Sequence, residues 1–129
     1  MSKTSKSKDQ LEFEIAFYEQ LVQAYPNFSD AIMALANTYT RRGWHDKGLA
    51  LDQRLARELR PGDPVAWYNL ACSYSLTKQT GESLEALRRA IRLGYDDFEY
   101  LGTDPDLAFL RNSPEFQRFL HTLSPSRSA

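Results

Sequence analysis

The sequence predicts an all-α fold, a solenoid of antiparallel helical hairpins closed by short capping helices at its C-terminal end. Three observations carry this reading. Apolar residues recur three or four apart over most of the 129 residues, the spacing that lines one face of a helix. Gly and Pro gather at the junctions between these stretches, where helices start and stop. The chain also matches itself. Ala31-Ile32-Met33-Ala34-Leu35-Ala36-Asn37-Thr38-Tyr39-Thr40 aligns with Ala66-Trp67-Tyr68-Asn69-Leu70-Ala71-Cys72-Ser73-Tyr74-Ser75 at an offset of 35 residues, a period that marks stacked helical hairpins. Nothing favours strands: β-branched residues are few and no hairpin turn signal such as Asn-Gly occurs.

The elements follow in order. Residues 1–9 read as a disordered basic tail. Residues 10–25 carry Leu11, Ile15, Tyr18, Leu21, Val22 and Tyr25 at helical spacing, with Pro26 as the stop. Ser29 is placed to cap a second helix through Ile32, Leu35, Ala36 and Tyr39 that ends near Gly43. A third runs from Asp46 to Arg60 with Leu51, Leu55 and Leu59 on one face, before Pro61-Gly62. Asp63 caps a fourth, and Pro64 fills its first position, where the missing N–H costs nothing. That helix should reach about Leu76. Thr80 is placed to cap a fifth, which carries Leu84, Leu87, Ala90 and Ile91 and stops at Gly94. Beyond it lie shorter elements: Asp96 to Leu101, a turn opened by Asp104-Pro105 through Leu107 and Leu110, and a helix opened by Ser113-Pro114 through Phe116, Phe119, Leu120 and Leu123. Residues 124–129 lack apolar periodicity and read as a disordered tail. One helical domain, 10–123, divides into a half-repeat helix (10–25), two repeats (29–61 and 63–94) and a cap (95–123).

Trp67, Leu70, Ala71, Tyr74, Ser83, Leu87 and Ala90, with their earlier counterparts Ile32, Leu35, Ala36, Tyr39, Gly43, Ala56 and Pro61, resemble the tetratricopeptide repeat. Ala36 and Ala71 stand where paired helices cross closely, and Tyr39 and Tyr74 fill the gap to the neighbouring hairpin. The sequence departs from the pattern at Ser83, where Ala is usual, and at Tyr95, where Pro is common. The first repeat also holds one extra residue that leaves the register of residues 44–55 open. Gly94 to Leu101, Asp104-Pro105-Asp106-Leu107 and Pro114-Glu115-Phe116 resemble the ending found after bacterial tetratricopeptide arrays, a cap over an otherwise open apolar face.

Composition removes several functions. Hydrophobic residues make up 42% and charged residues 26%, with 16 Lys plus Arg against 17 Asp plus Glu, so neither disorder nor a polybasic nucleic-acid arm is indicated. A single cysteine, Cys72, excludes an intrachain disulfide and fits a reducing, cytoplasmic setting. No apolar run approaches the ~20 residues that span a bilayer. His45 and His121 lack partners at metal-ligand spacing and read as surface residues, so no metal is expected. Phosphate loops, dinucleotide fingerprints and nucleophile elbows are missing. No catalytic residue or cofactor is therefore expected. Cys72 reads as a small hydrophobe on a packed helix, and an enzyme using it as a nucleophile stands as a remote third reading.

The resemblance implies a non-catalytic module that binds another protein. In the family the first helix of each hairpin lines the concave surface, which places Met33, Asn37, Thr40 and Arg41 of the first repeat with Tyr68, Asn69, Cys72 and Ser75 of the second in a groove for a peptide or partner helix. Two readings of that groove stand side by side, open or filled by the chain's own N-terminal helix and cap. The clamp that some members use for acidic chaperone tails has Lys where Met33 stands and a third repeat, and both are missing here. Residues 1–40 carry a net charge of −2, residues 41–92 of +4 and residues 93–129 of −3. Arg54, Arg57, Arg88, Arg89 and Arg92 of the basic middle are either solvated outer residues or an attraction for an acidic partner. Trp44 is either a staple under its loop or an interface anchor. The expected state is a monomer or weak homo-oligomer, contacting neither nucleic acid nor membrane. The alternative is a structural subunit that self-assembles through end helices rich in Phe17, Tyr18, Phe116 and Phe119.

Overall fold

The computed structural model describes the backbone of residues 6–128 and the side chains of residues 6–123. All described regular structure is helical: α1 (Lys8–Ala24), α2 (Ser29–Arg42), α3 (His45–Arg54) continued by a π-helical turn (Leu55–Leu59), α4 (Pro64–Leu76), α5 (Thr80–Arg92), α6 (Phe98–Leu101), a 3-10 turn (Pro105–Leu107), α7 (Ala108–Arg111) and α8 (Pro114–Ser128). The chain divides into two compact units, one ending at Pro61 and one starting at Gly62.

In the first unit α2 packs against both α1 and α3. Ile15, Leu35 and Tyr39 form its buried centre, and Tyr18, Val22, Trp44 and Leu51 pack around them. α1 starts at Lys8, two residues before the start read from apolar spacing. Ser7 and Gln10 form a capping box, in which Ser7 Oγ accepts from the Gln10 N–H and Gln10 Oε1 from the Ser7 N–H. Part of the expected tail is thus the helix start, and residues 1–5 lie outside the described residues. Ser29 is not a cap. It is the first helical residue, after Phe28, and its hydroxyl accepts from Arg60 Nε at 2.9 Å. Gly43 stops α2 in the left-handed region, φ 91°, a conformation that a Cβ disfavours.

The extra residue of the first repeat lies in the π turn. There the Arg60 N–H donates to Leu55 O, five residues back, at 2.7 Å, so the turn holds one residue more than an α-helical turn. Upstream the register is undisturbed. Gly48, 35 residues before Ser83, stands at the same close crossing, where a Cβ would meet Thr40 Oγ1 at 2.5 Å and Ala36 O at 3.2 Å. Deleting the exposed Glu58 is therefore expected to turn this segment into regular α-helix at a cost of no more than about 1 kcal/mol, read as a small shift in the urea midpoint. The same deletion at exposed Glu85, inside regular α5, rotates every following buried residue out of register and should unfold that hairpin.

In the second unit α4 and α5 form an antiparallel hairpin. Asp63 caps α4 by accepting from the Val65 N–H at 2.9 Å, with Pro64 next to it, as the sequence predicts. Ser83 explains its departure from the repeat pattern: buried at the crossing, its hydroxyl donates to Ala71 O at 2.7 Å. Thr80 is the first residue of α5 and makes no cap bond. Gln79 takes the cap position after a tight turn in which its N–H donates to Tyr74 O at 2.8 Å. Gly94 adopts φ 117° and ends the hairpin. The short C-terminal elements then fold back, so that the 3-10 turn and α7 lie on α4 and α7 also lies on α5. α8 is opened by Ser113, whose hydroxyl accepts from the Phe116 N–H at 3.1 Å. Its backbone stays helical to Ser128, past the Leu123 limit read from the sequence.

Candidate functional site

On α2, Met33, Asn37, Thr40 and Arg41 lie at i, i+4, i+7 and i+8 and so share one face. Asn37 is exposed and the other three are half-buried. Beside this face, Arg42 and Lys47 sit over the Trp44 ring at 5.0 and 5.2 Å, and Trp44 itself tilts against Tyr39 with ring centroids 6.0 Å apart. Trp44 is therefore half-buried on the first unit's centre rather than projecting from its loop. The Tyr39 hydroxyl donates to Glu19 Oε2 at 2.6 Å, and burial together with this carboxylate pushes its phenol up to about 12.

The corresponding face of α4 has a different environment. Asn69 is half-buried, whereas Tyr68, Cys72 and Ser75 are buried inside the second unit. What covers them is the returning C-terminal segment. The Tyr95 ring stacks on Tyr68 with centroids 4.3 Å apart and planes at 12°. The Tyr68 hydroxyl donates to Asp104 Oδ2 at 2.6 Å, the Cys72 thiol points to the same oxygen at 3.7 Å, and the Leu110 N–H donates to Ser75 Oγ at 3.2 Å. Leu107 of the 3-10 turn and Leu110 of α7, both buried, supply the apolar part of this cover. Arg111 ties the segment to itself, donating to Asp104 O at 2.7 Å and Leu101 O at 3.2 Å.

Asp104 is the residue that sequence reasoning placed only as a turn cap. It does cap, accepting from the Asp106 N–H through Oδ1 at 3.0 Å, and its second oxygen turns inward to Tyr68 and Cys72. The available signal was the polar set Tyr68, Cys72 and Ser75 at i, i+4 and i+7 on one face, whose groups require partners once covered. Burial first, then the Cys72 and Asp104 groups beside it, push the Tyr68 phenol far above its usual range, and burial raises Tyr95 as well.

A folded state that holds phenolic protons more tightly than the unfolded chain, whose tyrosines titrate near 10, gains stability that is complete below pH 10 and is lost as pH rises through 10 towards 12. In a titration followed at 295 nm, part of the tyrosine signal should lag and appear together with loss of helicity. Tyr39→Phe should shrink that part. Ionisation of all seven tyrosines in one step near 10, with helicity intact, would contradict it.

Among the described residues no group of His, Cys, Asp and Glu is arranged to hold a metal ion, and no helix is long and apolar enough to cross a membrane. The α4–α5 hairpin, with small Ala71 and Ser83 at its crossing and Gly94 at its end, coincides with a match to the tetratricopeptide repeat over residues 64–94. The chain carries a tetratricopeptide repeat. It is also 44% identical over 62 residues to a chloroplastic protein of Arabidopsis thaliana, an alignment covering 48% of this chain and 18% of that protein. The chain thus spans less than a fifth of the length of the curated relative it matches. Tetratricopeptide repeats serve in protein–protein interaction, and the hairpin architecture here is of that type.

Proposed function

We propose that the chain is a non-catalytic protein-binding module whose partner, a peptide or helix with acidic groups, is held on the α2 face of Met33, Asn37, Thr40 and Arg41. The single observation that supports this most is the contrast between α2 and α4. α2 leaves Asn37 exposed and Arg41 half-buried, while α4 has Tyr68, Cys72 and Ser75 taken up by the C-terminal segment. An amide and a guanidinium about one turn apart on a helix suit a carboxylate-bearing chain, the guanidinium through paired N–H donors. A cytoplasmic setting is part of this reading and rests on the lone reduced cysteine.

A photo-crosslinking residue at position 37 is expected to capture a partner that the same residue at exposed position 85 does not. Arg41→Glu should then weaken the purified partner at least tenfold. Capture from position 85 alone would overturn the reading. The assembly alternative draws on less surface than its sequence basis implied. Phe116 and Phe119 are buried in the second unit and Tyr18 packs on the first unit's centre, which leaves Phe17 exposed.

A further inference from the structure

The outer face of α1 carries an apolar stripe that nothing among the described residues covers. Phe13 is 76% exposed and Phe17 56%, one turn apart on the side of α1 opposite the buried Leu11 and Ile15. Ala16, Gln20 and Ala24 continue the same face. At its C-terminal end stand Tyr25, 62% exposed, and Phe28, 44% exposed, around a hollow of about 500 Å³ lined by residues 24–28. Four exposed aromatics within sixteen residues form a concentration that a solvated helix face does not need.

Charge says what kind of partner fits. From Asp9 to Thr40 the sequence contains five carboxylates and no Lys or Arg. Asp9 lies on the stripe's own face, Glu12 and Glu19 flank it on one side, and Glu14 flanks it on the other. Glu12 pairs with Arg42 at 2.7 Å and Glu14 with Lys6 at 2.5 Å, while Glu19 accepts from the Tyr39 hydroxyl. A second copy applied through the same stripe would set these carboxylates against each other. The stripe is straight and runs about 16 Å from Phe13 to Ala24 at helical rise, with the Phe13–Phe17 ridge beside the small Ala16, a relief into which another helix's side chains pack.

We propose that the outer face of α1 docks a cationic amphipathic helix of about three turns from another protein. The partner's apolar residues cover Phe13 and Phe17, and its Lys and Arg stems lie along the stripe with their charged ends at Asp9, Glu12, Glu14 and Glu19. This surface is separate from the α2 face and stands or falls without it.

The probe is a fluorescein-labelled Leu/Lys amphipathic peptide of eighteen residues, with a Leu/Glu peptide of the same pattern as control, titrated into the full chain and followed by anisotropy. The wild-type chain should bind the Lys peptide and not the Glu peptide, more weakly as salt rises. The Phe13→Ser, Phe17→Ser double variant, and Phe13→Lys alone, should each lose at least tenfold in affinity at unchanged helicity. Equal binding by wild type and variants, or no binding of the Lys peptide, would overturn the proposal. So would a wild-type dimer in light scattering that the double variant abolishes, which would make a second copy the occupant, or binding to anionic vesicles through the same two residues.

Discussion

Replacing Asp104 with alanine is expected to destabilise the chain by about 2–4 kcal/mol, because it leaves the buried Tyr68 hydroxyl without its acceptor and removes the cap of the 3-10 turn. The two losses have different signatures. Asp104→Asn keeps one acceptor oxygen for the Asp106 N–H and presents an NH2 group to Tyr68, whose hydroxyl can turn to accept from it, so it should cost less than Asp104→Ala. Tyr68→Phe removes the donor together with its need for an acceptor and should cost less than Asp104→Ala. In the double variant Tyr68→Phe, Asp104→Ala the effects should fall short of additive by about 1–2 kcal/mol, the coupling expected of residues that share one hydrogen bond. Urea denaturation of the four chains checks this. Additive effects would mean that Asp104 acts through its cap alone.

Phe116→Ala is expected to have the largest effect of any single truncation in the C-terminal segment, about 3–5 kcal/mol. Phe116 is 1% exposed, and its ring lies 6.4 Å from that of Phe119, over which Arg88 of α5 sits at 5.3 Å. Truncation would open a cavity where α8 is anchored. Phe13→Ala, at a site open to solvent, should change stability by no more than about 0.5 kcal/mol. Thermal unfolding of the two variants separates a phenylalanine that holds the fold from one that is free for other use. A cost of less than about 1 kcal/mol at Phe116 would show that α8 is peripheral to the unit.

The elements most legible in the sequence are those with a local chemical signature. Asp63-Pro64, Asp104-Pro105 and Ser113-Pro114 open helical turns where they stand, and Gly43 and Gly94 close helices with positive φ, because capping and left-handed stops are decided within a few residues. Ser29 and Thr80 carry the same residue types but sit one place inside their helices. In the first case a distant Arg60 claims the hydroxyl, and in the second a tight turn gives the cap to Gln79. The extra residue of the first repeat could be counted but not placed, since a π turn and a longer loop use the same number of residues.

The candidate site was legible only as a set of positions on two helices. Repeat periodicity puts Tyr68, Cys72 and Ser75 on the inner side of α4. What it does not contain is that Asp104, more than thirty residues later, returns to that side. The fold-back depends on Leu107 and Leu110 finding α4 together, a non-local packing choice without a periodic trace.

The chain's own C-terminal segment closes the Tyr68–Cys72–Ser75 face of the 64–94 hairpin, and Cys72 reports on it directly because it is the one cysteine in the sequence. Its reaction with a thiol reagent should be measured under native conditions, in wild type and in Asp104→Ala. Slow labelling of wild type, limited by opening of the segment, and labelling at least tenfold faster in the variant is the predicted result. Rapid stoichiometric labelling of the folded wild-type chain, unchanged by the substitution, would mean that the face is open.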